Sequence, residues 1–90
     1  MFEETTVSDL KKQFEAAAAA VKKLAEDPGN DVKLQLYALY KQGSEGDVQG
    51  KRPGFTDMIG RAKYDAWTKT KGLSQADAMK QYIDLVKSLA

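Results

Sequence analysis

The sequence predicts an all-α chain folded as one domain of four helices. Three observations lead there. Four segments repeat apolar residues at alternating three- and four-residue spacings. No segment alternates apolar and polar residues as a half-buried strand does. Strong breakers fall between the segments: Asp27-Pro28-Gly29, the glycine-rich stretch 43–54, and Gly72.

The first helix is expected from about Ser8 to Glu26, with Ser8 as N-cap. Leu10, Phe14, Ala17, Val21 and Leu24 fall on one stripe. The run Ala16–Ala20 has the highest helix propensity available, and its small side chains let another helix or a ligand come close. The second helix starts near Asn30 or Asp31, either of which can cap it, and reaches about Gly43. Val32, Leu36, Leu39 and Gly43 form one stripe; Leu34, Tyr37 and Lys41 form another, with Tyr40 between. A helix apolar on two faces packs on two surfaces, or on one surface and a ligand. Four glycines and a proline in the twelve residues 43–54 make a long loop, a place where small domains often carry function.

The third helix runs from Thr56 or Asp57 to Lys71, amphipathic through Ile59, Ala62, Lys63, Ala66 and Trp67, and Gly72 stops it. Asp57 and Arg61, four apart, suggest a surface ion pair. Ser74-Gln75-Ala76-Asp77 resembles a capping box and opens the fourth helix. Its stripe is Ala76, Met79, Ile83, Val86 and Leu89 or Ala90, with Tyr82 beside it. Residues 1–90 form a single domain with no internal repeat, and residues 1–7 read as a short N-terminal extension.

Composition removes several function classes. The 90 residues contain no cysteine and no histidine, which excludes disulfides, zinc sites with nitrogen or sulfur ligands, and a nucleophile paired with imidazole. No apolar stretch approaches the roughly 20 residues that span a bilayer, so no stable membrane insertion is expected. Glu3 and Glu4 stand where a signal peptide would carry lysines, and a cytoplasmic location follows as the expectation. The net charge of +1 is unevenly spread. Residues 1–40 hold five lysines against seven acids, residues 41–71 hold seven cations against four acids, and residues 72–90 balance. That total is too small for a nucleic-acid binder but leaves room for a basic patch facing one small anion.

Among the remaining candidates, Asp47, Asp57 and Asp65 show no spacing that marks an acid–base pair. The glycine-rich loop matches neither the Walker nor the dinucleotide pattern. The chain therefore reads as a non-enzyme without metal or resident cofactor. One unusual feature is lysine beside aromatics at helical spacing: Tyr37, Tyr40 and Lys41 on the second helix, and Lys63, Tyr64 and Trp67 on the third. Such faces join an aromatic platform to a charged clamp, which suits a phosphorylated nucleotide. From spacing alone, tyrosines filling core edges while lysines reach water is the simpler reading.

The stretch Tyr37-Ala38-Leu39-Tyr40-Lys41-Gln42, then Gly46-Asp47 and Arg52-Pro53-Gly54, resembles the acyl-CoA-binding protein family. The resemblance continues through Gly60-Arg61-Ala62-Lys63-Tyr64-Asp65-Ala66-Trp67, Lys71-Gly72, Ser74 and Ala78-Met79-Lys80-Gln81-Tyr82-Ile83, with Phe14, Ala17, Ala18, Val21, Lys22 and Leu24 upstream. It covers about residue 14 to the C-terminus, and the motifs together are highly specific.

This resemblance implies an up-down-down-up four-helix bundle that binds medium- to long-chain fatty acyl-CoA esters. The implied role is an intracellular carrier and pool former, with acyl-CoA a cargo rather than a cofactor. By motif, Lys41 and Lys63 would hold the 3′-phosphate of CoA, helped by the Tyr37 hydroxyl, while Tyr40 would pack on the adenine. Lys22, on the first helix, would stand at the rim, and Tyr82 would lie where acyl chain and head group meet. Ala18 and Leu34 would border the apolar groove; Ala38, Leu39, Ile59 and Tyr64 are secondary candidates. Phe14, Val21, Leu24, Ile83, Val86, Leu89 and Trp67 are assigned to folding, and Asp47, Arg52, Pro53 and Gly54 to the shape of the loop. Two departures from the family pattern stand out: Ile59 where many members carry a lysine, and Tyr64 in place of a common tryptophan. A monomer is expected, with transient contacts to membranes or acyl-CoA-using enzymes as open partner classes. The competing reading is a helical protein-interaction module without CoA binding.

Overall fold

A computed structural model describes residues 7–90, with side chains from Asp9 onward. Four helices and no strand occur among the described residues: α1 (Val7–Val21), α2 (Asn30–Glu45), α3 (Met58–Thr68) and α4 (Gln75–Leu89). Of the expected N-terminal extension, residues 1–6 lie outside the described residues and Val7 is already helical.

The helix directions follow from which residues meet. Lys63 of α3 lies on the ring of Tyr37 in α2, and Lys41 of α2 lies over Trp67 in α3, so these two helices run parallel. Tyr40 meets Tyr82, whereas Gln75 near the start of α4 bonds the carbonyl of Gly43 near the end of α2, so α2 and α4 are antiparallel. Leu10 borders a cleft with Ile83, while Ala20 borders one with Val86 and Leu89, so α1 and α4 run in the same sense. The order is up-down-down-up.

The core lies where α1, α2 and α4 meet. Leu10, Phe14, Ala17, Leu36, Leu39, Met79, Tyr82, Ile83 and Val86 are buried in one cluster, with Val21, Val32 and Leu89 packed against it. Each large apolar side chain taken fully from water stabilises by about 1.5–3 kcal/mol, so this cluster is the main source of stability. Phe14 is its centre, stacked on Tyr40 at 5.2 Å and edge-on to Tyr82 at 5.1 Å. Gly43 permits this closeness. A Cβ there would sit 3.0 Å from Phe14 and 3.1 Å from Met79, tighter than ordinary packing.

α3 is attached differently, and Trp67 is its single buried residue. Its indole N–H donates to the Gly46 carbonyl at 2.8 Å, and Tyr64 donates its hydroxyl to the Gly50 carbonyl at 3.0 Å. Arg52 pairs in a two-bond fork with Asp65 at 2.8 and 2.6 Å. The fully buried Gln42 ties the lower ends together. Its amide nitrogen donates to Asp47 and to the Leu73 carbonyl, both at 2.8 Å, and its oxygen accepts from the Thr70 hydroxyl at 3.0 Å.

Several element ends differ from the sequence expectation. α1 stops at Val21 rather than Glu26, and its last turn tightens through Lys23 N–H to Ala20 and Leu24 N–H to Val21. Ser8 lies inside α1 rather than capping it. Gly29, at φ 92°, is the N-cap of α2 in place of Asn30 or Asp31, and its N–H is held by the Asp27 carboxylate at 2.8 Å. Helix α2 continues two residues beyond Gly43, because Gly46 at φ 84° provides the break. α3 ends at Thr68, three residues short of Lys71. Asp57 does not serve Arg61; its carboxylate caps α3 by accepting the Gly60 N–H at 2.9 Å, and the Arg61 guanidinium lies 4.5 Å from the Phe55 ring centre. Ser74 caps α4 as expected, accepting the Asp77 N–H at 3.0 Å.

Candidate functional site

Tyr37, Tyr40 and Lys41 occupy little more than one turn of α2, and the helix sends them toward two neighbours. On the α3 side, the Lys63 ammonium stands 5.4 Å from the centre of the Tyr37 ring. The Lys41 ammonium stands 4.9 Å from the Trp67 ring and is within electrostatic reach of the Tyr37 and Tyr40 hydroxyls. Both lysines therefore lie along the seam between α2 and α3, Lys63 at Tyr37 and Lys41 one turn further on at Trp67. Lys41 is also paired with Glu45, one turn further along α2. That hydrogen bond is the main reason the Lys41 ammonium is held above the ordinary lysine value, against an opposing effect of burial. Glu45 is not among the site residues expected from the sequence, although its i, i+4 spacing from Lys41 is the signal that marks it.

On the α1 and α4 side, a shallow depression of about 520 Å³ is lined by Ala18, Ala19, Val21, Lys22, Tyr40 and Tyr82, with Glu15 at its edge. Its floor is apolar and its rim carries one cation, Lys22, which stands in the turn just past α1 rather than on the helix. Tyr40 is 41% exposed, although its ring stacks on Phe14 and lies 5.9 Å from that of Tyr82. Tyr82 is buried, and that burial, followed by the nearby Tyr40, pushes its hydroxyl above the usual tyrosine value.

α2 thus joins a lysine-rich side to an apolar depression, and Tyr40 borders both. Such a surface can grip a compact anion with two ammonium groups, present a ring for stacking, and shelter an apolar tail alongside. The secondary candidates are more scattered. Leu34 lies away from Ala18, in a separate cleft of about 680 Å³ with Leu39, Ala62 and Ala66. Ala38 is buried, and Leu39 is buried apart from the part of it that borders that cleft. Tyr64 is turned to the loop carbonyl of Gly50, and Ile59 is exposed one turn before Lys63.

The family model described as acyl CoA binding protein matches residues 11–86. "Acyl-CoA-binding protein homolog 1" of Caenorhabditis elegans is 50% identical over 76 residues, covering 84% of this chain and 88% of that protein. The crystal structure of Oryza sativa "Acyl-CoA-Binding Protein 2" superposes with a TM-score of 0.85 at 42% identity, covering 89% of each chain. Human "Enoyl-CoA delta isomerase 2" is 46% identical over 86 residues, 96% of this chain, but the chain spans only 22% of that protein's length. A match over most of the chain by the family model, by a relative of similar length and by a solved structure has one meaning. The chain belongs to the acyl-CoA-binding protein family.

Proposed function

We propose that this chain binds medium- to long-chain fatty acyl-CoA esters and carries them unchanged, buffering a pool. The observation that carries the reading is that Lys63 of α3 lies over Tyr37 of α2 and Lys41 of α2 over Trp67 of α3, which brings lysines of two helices to one seam, while Tyr40 edges an apolar depression. In this reading the two ammonium groups take the 3′-phosphate, with the Tyr37 hydroxyl as a further donor, and the exposed part of Tyr40 takes the adenine. Lys22 stands at the rim, and the wall of Ala18 and Tyr82 shelters the beginning of the tail.

Magnitudes assign different work to the two ends of the ligand. A charge-assisted hydrogen bond to phosphate contributes about 1.5–3 kcal/mol net where water is partly excluded. Each buried methylene adds about 0.8 kcal/mol, so six more favour a longer ester by about 4–5 kcal/mol. The head group orients and the tail discriminates. No bond is made or broken, and no cofactor takes part. All the groups named come from one chain, so a monomer suffices. The lack of cysteine suits a reducing, cytoplasmic setting. Release of free thiol from palmitoyl-CoA above background would point instead to a thioesterase.

Calorimetric titration tests the proposal. Palmitoyl-CoA should bind in the sub-micromolar range, free CoA far more weakly, and palmitate negligibly. Lys41→Met or Lys63→Met should each weaken palmitoyl-CoA by about 10- to 100-fold, the equivalent of the phosphate bond lost. Equal affinity for CoA and its palmitoyl ester would remove the role of the tail. No CoA response at all would leave the protein-interaction module as the better reading.

A further inference from the structure

The bonds around α3 sort into two groups. Some stay within one stretch of chain: the Arg52–Asp65 fork and the bond from the Tyr64 hydroxyl to the Gly50 carbonyl both join the preceding loop to α3 itself. The ends of that stretch meet at a single carboxylate. Asp47 accepts the Gly72 N–H at 2.9 Å and the Gln42 amide at 2.8 Å, so residues 47–72 leave the bundle and return to it at one point. A left-handed glycine stands at each end, Gly46 at φ 84° and Gly72 at φ 96°. The described chain thus divides into a lobe, residues 47–72, and a body made of α1, α2 and α4.

Directed contacts from the lobe to the body are few. Trp67 donates its indole N–H to Gly46 and lies under the Lys41 ammonium, Lys63 lies over Tyr37, and Thr70 donates to Gln42 at the stem. Ala62 and Ala66 of α3 border the cleft of about 680 Å³ that Leu34 of α2 and Gln81 of α4 also line, so open space stands where packed side chains would hold the helix. The body, by contrast, encloses the whole buried cluster around Phe14. Elements with few buried apolar contacts open at a lower free energy than the core does. α3 has 11 residues, and an isolated helix shorter than about 12–15 is marginal in water, so α3 melts once it leaves the body. The fork and the Tyr64 bond carry the loop with it, which makes the loss one event.

We propose that residues 47–72 open as one unit on the Gln42–Asp47 stem while the body stays folded, and that a ligand lying across the α2–α3 seam closes the lobe. The closing half rests on the acyl-CoA reading; the opening half is a property of the free chain. Lys41 belongs to the body and Lys63 to the lobe, so an anion held by both spans the boundary and selects the closed form. Affinity and lobe stability are then linked. Whatever loosens the lobe weakens the ligand, and the ligand tightens the lobe in return.

Hydrogen exchange of the full chain, followed by NMR at low denaturant with and without palmitoyl-CoA, tests both halves. In the free chain the α3 amides, corrected for intrinsic rates, should share one exchange rate about tenfold or more above that of the slowest amides of α1, α2 and α4. Saturating palmitoyl-CoA should slow α3 about tenfold or more. Trp67→Phe, which removes the bond to Gly46, should speed α3 exchange about 3- to 10-fold and leave the body amides unchanged. Should that variant fail to fold, Asp65→Asn, at an exposed pair, should speed α3 about two- to fivefold. Exchange of α3 only through global unfolding, or at a separate rate for each amide, would overturn the lobe. Bound palmitoyl-CoA that leaves α3 exchange unchanged would overturn its closing. A free chain whose α3 opens as a unit, yet which gives no calorimetric response to palmitoyl-CoA, supports the opening and defeats the acyl-CoA reading alone.

Discussion

The α1–α2–α4 side and the α3 side of this molecule are held by different forces. On the first, apolar stripes from three helices interlock around Phe14, and Gly43 lets them close without a gap. On the second, α3 buries only Trp67 and is kept in place by directed bonds: indole to Gly46, Arg52 to Asp65, and the Gln42 cluster at the lower ends. Packing sets how stable the bundle is; the directed bonds set where α3 stands, and therefore where Lys63 meets Tyr37. The lysine pair depends on the weaker of the two attachments.

Removing the centre of the apolar side should have the largest effect. Phe14→Ala should destabilise by about 3–5 kcal/mol in denaturant unfolding, since the buried ring stacks on Tyr40 and meets Tyr82 edge-on. A loss below about 1 kcal/mol would break the comparison by showing that the core collapses around the gap. The polar side should respond less. Gln42→Leu removes partners of Asp47, Leu73 and Thr70 and should cost about 1–3 kcal/mol, with palmitoyl-CoA affinity falling more than in Phe14→Ala measured well below its own melting temperature. The same fall in both would merge the two sides into one unit.

The smallest effect expected is one of acidity. The Gly72 N–H, then the Gln42 amide, hold the Asp47 carboxyl below its ordinary value. A carboxylate with a depressed folded-state pKa adds stability above its unfolded value, and that addition is lost as pH falls through the folded one. The stability difference between wild type and Asp47→Asn should therefore be constant near neutrality and shrink below about pH 4. A difference unchanged down to about pH 2 would remove Asp47 from the polar joint.

The same division explains what could be read from the sequence. Leu10, Phe14, Ala17, Leu36, Met79, Ile83 and Val86 were legible as core because burial repeats with the helix period. Trp67 and the Ser74 cap were legible for similar local reasons. Gln42 was not, because its three partners lie five, 28 and 31 residues away and no spacing announces them. The end of α1 was equally hidden, since residues 22–26 contain no breaker and the stop signal Asp27-Pro28-Gly29 comes later. For the site, the motif supplied Tyr37, Tyr40, Lys41 and Lys63 as a set, and the parallel course of α2 and α3 brings Lys63 to Tyr37 and Lys41 to Trp67 along one seam. Leu34 and Ala18, expected on one groove, border two different depressions, because Leu34 faces α3 in the cleft with Ala62 and Ala66 while Ala18 faces Tyr40 and Tyr82.

The Lys41–Glu45 pair has a consequence for selectivity. A lysine that already has a carboxylate companion admits a phosphate by swapping one anion for another, with Glu45 returned to water. Such an exchange yields less than meeting an unpartnered cation, and small phosphorylated metabolites have nothing else to offer in return. In the proposed reading this i, i+4 pair subtracts only about 0.3–0.5 kcal/mol from what a phosphate gains, so ring and tail decide which visitors stay.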